Sequence, residues 1–199
     1  MTLYDKDIRE PLFEFLENEY GMIRILEEKM TGRARADVVM VLNDQLCGIE
    51  IKSDADTYAR LKKQVRSYNQ YYDMNYAVVG TSHAMHIEEH VPSFWGIITV
   101  ETVNGRADFY IKRRALPNPK RKIEKKITIL WRPELAAIQK KYHLPAYAQK
   151  SKQFVQQKIL EKLDEQDIHA EISAALFERD YTLIEEELNE YRKAHRRKG

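Results

Sequence analysis

Glu50 and Lys52, in the stretch "CGIEIKSDAD" at 47–56, put an acid and a base two residues apart where composition predicts a buried strand. Strand side chains alternate, so the two share a face while Cys47, Ile49 and Ile51 point the other way. Upstream, "ADVVMVL" at 36–42 reads as another strand. A two-residue loop at Asn43-Asp44 pairs Leu42 with Gln45, and in the same register Asp37 with Glu50. Carboxylates opposed in this way, with Cβ atoms about 4.5–5.5 Å apart, repel each other. A divalent cation reverses the sign, because Mg²⁺ is typically held by one or two carboxylates, several waters and substrate phosphate oxygens. Lys52, one pleat further along, can neutralise charge on a phosphate or help deprotonate a metal-bound water. This spacing describes a minimal kit for phosphodiester hydrolysis. A three-residue loop would instead set Asp37 opposite Ile51, facing away from Glu50. The plainer alternative makes Asp37 a turn residue and Glu50 with Lys52 an exposed ion pair on an edge strand.

The elements that must position these groups follow from periodicity. Residues 7–19 place Ile8, Leu12, Phe15 and Leu16 on one side at helical spacing, with Pro11 tolerable only near a first turn. Strands are expected at 22–28, 36–42 and 45–52, the first two joined by "TGRAR", giving a three-stranded meander. A second helix, capped by Asp54 or Asp56, runs to about Tyr72 with Leu61, Val65, Tyr68 and Tyr72 on its apolar side. Strands follow at 75–80, 94–100 and 107–112, the last two joined at Asn104-Gly105. The order is α, β, β, β, α, β with a β extension. "RRALPNPKRKIEKK" reads as a connection, and 127–142 and 149–193 as helices. Phe154, Ile159, Leu160, Leu163, Ile172, Leu176, Leu183 and Ile184 supply their apolar stripes. Leu144-Pro145 is the candidate internal boundary.

The chain has 199 residues, 43% hydrophobic and 32% charged, which suits one soluble domain with a small appendage. Net charge is only +2, but eight Lys or Arg face one acid between Lys112 and Lys126, and five more lie in Arg192–Lys198. Both are candidate phosphate-contacting surfaces, a solvated loop and tail being the plain alternative. One cysteine, Cys47, allows no internal disulfide and fits a reducing compartment, so a cytoplasmic location is expected. No signal peptide and no apolar run of about 20 residues points to a membrane. Asp7, Glu10, Glu14 and Glu17 lie opposite the apolar side of the first helix and read as solvated. His83, His86 and His90 lack a zinc-site context. No phosphate-cradling glycine loop occurs, which argues against ATP-driven chemistry.

Asp37, followed thirteen residues later by Glu50-Ile51-Lys52, after one helix and two strands and before a helix and strand, resembles the PD-(D/E)XK nuclease superfamily. Ala36 stands where that motif has its proline. Gln64-Val65-Arg66-Ser67-Tyr68 is similar to the Q-x-x-x-Y element of the RecB-type exonuclease branch. The phrase from "GRARADV" to "QYYD" looks like a little-characterised bacterial and phage branch. The resemblance covers roughly residues 5–115. It implies an α/β, restriction-endonuclease-like αβββαβ core with a mixed central sheet over 1–115, a basic connection and packing helix over 116–144, and an α-helical C-terminal extension over 145–199. It further implies Asp37, Glu50 and the Ile51 carbonyl as ligands of Mg²⁺ or Mn²⁺, Lys52 as base or electrostatic stabiliser, and Gln64 and Tyr68 as positioning groups. Tyr68 read alone is equally a core residue, and Glu28 is a further acid or a strand-end ion pair. Arg60, Lys62, Lys63 and Arg66 beside Gln64, with Lys120, Arg121 and Lys122, are the expected DNA contacts. Tyr71, Tyr72 and Tyr76 are base-stacking groups or core margins. The expected function is a metal-dependent deoxyribonuclease in phage or bacterial DNA processing, repair or defence. The rivals are a non-catalytic nucleic-acid-binding module on the same fold and an adaptor that binds protein through its C-terminal helices.

Overall fold

In the computed structural model, Leu42 donates its N–H to the Gln45 carbonyl at 2.9 Å, closing the two-residue hairpin at Asn43-Asp44. The structure describes residues 4–31 and 34–179, with side chains for all of these except 28–31, 34 and 35. Strands β1 (Arg24–Thr31), β2 (Ala34–Val41) and β3 (Leu46–Lys52) form the expected antiparallel meander. β1 and β2 pair as far as Thr31 and Ala34, so the ladder runs further into "TGRAR" than its composition suggests. Helix α2 (Leu61–Tyr71) then carries the chain to β4 (Met74–Gly80), parallel to β3. β5 (Gly96–Val103) lies parallel to β4, and β6 (Arg106–Arg113) returns antiparallel. Asn104 and Gly105 both adopt positive φ, 50° and 78°, as a primed hairpin turn needs. The result is one six-stranded mixed sheet in the order β1-β2-β3-β4-β5-β6.

Two apolar layers sandwich the sheet. Helix α1 (Asp5–Tyr20) buries Ile8, Leu12 and Leu16 against Val38, Met40, Ile49, Ile51 and Val78 on one face. On the other, Leu61, Val65 and Tyr68 of α2, with Tyr72 at its C-cap, meet Val39, Leu46, Ala77, Val79 and Trp95. Gly48 lies under the Tyr72 ring, where a Cβ would sit 2.3 Å from a ring carbon, so only glycine lets α2 come this close.

The starts of α1 and α2 differ from expectation. α1 begins at Asp5, which puts Pro11 in its second turn and deprives the Asp7 carbonyl of its i+4 donor. α2 begins at Leu61, because Asp54 and Asp56 cap other groups. Asp56 accepts from the Ser53 N–H at 2.8 Å and hydroxyl at 2.7 Å, while Asp54 accepts from the Ser82 N–H at 3.0 Å and hydroxyl at 2.9 Å. Asx capping of loops here wins over N-capping of the helix.

The basic connection holds a short helix α3 (Ile123–Lys126), followed by α4 (Arg132–Lys141), α5 (Lys152–Lys162) and α6 (Glu165–Glu178). Ile159, Ile172 and Leu176 are buried, and Phe154, Leu160 and Leu163 partly so, all in the apolar cluster that contains α2. α6 also touches β2. Leu183, Ile184 and the basic run 192–198 lie outside the described residues. Among those described, no helix is long and apolar enough to cross a membrane.

Candidate active site

The β2–β3 ladder ends at Val38 and Ile49, and one step beyond it stand Asp37 and Glu50. Their positions follow from parity: Val39 and Val41 share Asp37's face and lie in the α2 layer, whereas Val38, Ile49 and Ile51 lie in the α1 layer. Past the ladder's end the Ile51 N–H donates to Asp37 Oδ2 at 2.9 Å, so a carboxylate takes the place of a strand partner. A strand residue's N–H and C=O point to the same side, so the Ile51 carbonyl is directed into this gap as well.

Glu50 is 0% exposed. Its Oε1 accepts from Lys52 Nζ at 2.7 Å and from Gln64 Nε2, and its Oε2 accepts from the Tyr68 hydroxyl at 2.8 Å. Gln64 and Tyr68, one turn apart on α2, thus grip the same carboxylate. The Tyr68 hydroxyl also accepts the Asp37 N–H at 3.1 Å, joining both acidic residues. Its ring meanwhile stacks on Trp95 in the core with centroids 5.6 Å apart. Core packing and site positioning are therefore two ends of one side chain.

Burial pushes the Glu50 carboxyl up to about 7, the Asp37 charge adding to the shift and Lys52 and Tyr68 opposing it. Asp37 is raised by burial too, against the Ile51 N–H, Lys52 and Arg9. Burial and both carboxylates hold the Tyr68 phenol well above its ordinary range, so it stays a donor. Both carboxyls bind protons more tightly folded than unfolded. Their contribution to stability without divalent cation should therefore fall as pH rises from about 4.5 to about 7 and level off above. Urea midpoints measured across that range with and without Mg²⁺ or Mn²⁺ test this, the cation recovering the loss above pH 7.

Two acceptor atoms suit a hard cation and its waters. Gln64 Oε1 is buried with no partner, and the Ile51 N–H engages only the Oδ2 atom of Asp37. Oxygen donors of this kind match Mg²⁺ or Mn²⁺ rather than a soft metal. Among the described residues, no three His, Cys, Asp or Glu gather as a metal group, so two carboxylates, a backbone carbonyl and solvent or substrate would have to complete the shell.

Arg9 is the residue that sequence reasoning missed. From α1 it donates to the Asp37 carbonyl at 3.3 Å and pairs with Asp5 at 2.7 Å and Glu27 at 3.4 Å, which ties the start of α1 to the strand carrying Asp37. Only the Asp5–Arg9 spacing is visible locally. The side chain of Glu28 lies outside the described ones.

Arg60, Lys62, Lys63 and Arg66 are exposed on α2 around Gln64, and none has an acidic partner among the described residues. Lys120 and Lys122 are also exposed. Arg121 differs, since it pairs with Asp73 at 2.9 Å and with Glu165 at 2.7 Å. Tyr71, Tyr72 and Tyr76 are 8%, 0% and 2% exposed, which makes them core residues rather than base platforms. His83 and His90 pack on the Tyr58 ring, with centroids 4.7 and 3.9 Å away.

A family model described as Bacteriophage P4 protein cII matches residues 2–198. No curated protein matches the chain.

Proposed function

The chain belongs to the Bacteriophage P4 protein cII family, and we propose that it is a divalent-metal-dependent deoxyribonuclease with a restriction-endonuclease-like core of the PD-(D/E)XK type. One observation carries this reading: Asp37, Glu50, Ile51, Lys52, Gln64 and Tyr68 meet in a single hydrogen-bonded network where β2 leaves β3.

Asp37, Glu50 and the Ile51 carbonyl would hold Mg²⁺ or Mn²⁺. When bound, such an ion supplies a water nucleophile of lowered pKa and polarises the phosphoryl oxygen. Gln64 and Tyr68 fix the orientation of Glu50, and Arg9 fixes the main chain at Asp37. Lys52 holds its ammonium on Glu50, and with a cation bound there it would offer that charge to the phosphate or the attacking water. Arg60, Lys63 and Arg66 lie beside Gln64 on the outer side of α2 and would carry the DNA backbone.

The test is cleavage of linear and circular, single- and double-stranded DNA with Mg²⁺ or Mn²⁺, abolished by chelator. Replacing Arg60, Lys63 and Arg66 together by Gln should lower the slope of log affinity against log salt by about 2–3, roughly one for each phosphate no longer neutralised. Lys120 and Lys122 are the remaining candidates on the basic connection, since Arg121 is already neutralised by two acids.

A second reading rests on the same carboxylate. Both oxygens of Glu50 have protein donors, and the Lys52 ammonium already balances its charge, so the site is self-sufficient without a metal. In that case the chain binds nucleic acid or protein without cutting. Metal titration together with the cleavage assay separates the two.

A further inference from the structure

Away from the carboxylates, five charged or titratable side chains close a ring between the start of β4 and the C-terminal helices. Asp73, which follows α2 and is 5% exposed, accepts from the Leu46 N–H at 2.7 Å, from Lys126 Nζ at 2.5 Å and from Arg121 at 2.9 Å. Lys126, on α3 and 0% exposed, makes its other contact with His169 Nδ1 of α6 at 2.7 Å. His169 Nε2 lies 3.3 Å from Glu165, and Glu165 returns to Arg121 at 2.7 Å.

The donors determine the tautomer. An ammonium has no acceptor, so His169 Nδ1 must take the Lys126 proton with its lone pair, and Nε2 carries the hydrogen that points at Glu165. The ring is then electrically balanced, with Lys126 and Arg121 against Asp73 and Glu165. A proton on Nδ1 would set two N–H donors against each other at 2.7 Å and leave one positive charge in excess.

We infer that this ring is an acid-sensitive clasp, in which proton uptake at His169 breaks the bond from Lys126 and releases α6 from α3, while Asp73, 3.6 Å from Nδ1, keeps an attraction for the charged ring. The groups facing the imidazole are Lys126 from α3, Asp73 from the turn before β4, Arg121 from the connection, and Glu165 from α6 itself. Burial and the Lys126 charge, followed by Arg121, hold the imidazole below its ordinary value, while Asp73 and Glu165 pull the other way. Burial likewise lowers the Lys126 ammonium, with Asp73 opposing. A depressed imidazole stabilises the fold above the unfolded value of about 6.5, and that stability is lost as pH falls through the folded one. The consequence is local, because α6 brings Ile168, Ile172 and Leu176 into the apolar cluster beneath it. The clasp is independent of any nuclease activity.

Two measurements on the full chain test it. In the wild type, the His169 ring signals followed by NMR should titrate below pH 6.5, and a midpoint at or above 6.5 overturns the clasp. Hydrogen exchange, corrected for intrinsic rates, should show peptides from 165–178 losing protection relative to α1 between pH 7.5 and 5.5, by up to about tenfold. His169→Asn keeps an acceptor near the Nδ1 position without titrating, so its α6 protection should stay in step with α1. If wild type and variant show the same pH dependence in α6, the inference fails. Should the variant not fold, the wild-type titration still decides.

Discussion

Asp37→Asn should bind Mn²⁺ poorly and cleave DNA about a thousandfold more slowly than the wild type, a loss of about 4 kcal/mol in transition-state stabilisation. The substitution keeps an oxygen for the Ile51 N–H, so the end of the ladder survives. It also removes a carboxylate that burial already disfavours in its charged form, so stability above pH 7 in chelator should hold or rise slightly. Glu50→Gln should lose metal binding and cleavage as well, but it is the less clean probe. It takes the carboxylate partner from the buried Lys52 ammonium, so its effect on metal binding is mixed with a rearrangement of that side chain. Calorimetric Mn²⁺ titration and urea unfolding of each variant separate the two effects. Equal residual cleavage by wild type and Asp37→Asn would point to a contaminating nuclease and favour the non-catalytic reading.

Lys52→Met should divide the functions the other way. Its stem fills the same space, but the charge meant for the phosphate or the water is gone, so cleavage should fall by about a hundred- to a thousandfold. Metal binding should persist or tighten above pH 8, because the ammonium that occupies Glu50 Oε1 has been removed. Loss of Lys52 also pushes the Glu50 carboxyl further up, which delays metal binding to higher pH. Cleavage retained by Lys52→Met, or metal binding abolished by it, would contradict the role assigned to this residue.

The meeting of Asp37 and Glu50 was legible because it depends on parity alone. Once Asn43 and Asp44 form a two-residue loop, every residue on both strands has its face assigned. Gln64 and Tyr68 were singled out by the resemblance to the Q-x-x-x-Y element, which did not show that Tyr68 would serve the core and the site at once. What could not be read involves partners distant in the chain. Asp54 and Asp56 look like helix caps until Ser82, 28 residues on, is seen to claim one of them. Arg9 reaches Asp37 across 28 residues, and a helical wheel shows only that α1 has an apolar side. The basic run reads as a phosphate-contacting surface because the acids that neutralise Arg121 lie 48 residues before it and 44 after. Buried charge is hard to predict from local composition, since only the tertiary partner offsets its desolvation.

A crystal soaked in Mn²⁺ at pH 8 and recorded with anomalous scattering decides whether the two carboxylates hold a metal. A peak is expected between Asp37 and Glu50, with the Lys52 ammonium displaced from Glu50. A metal-loaded crystal with no peak there, and with Lys52 and Gln64 still bound to Glu50, would refute the metal-dependent reading.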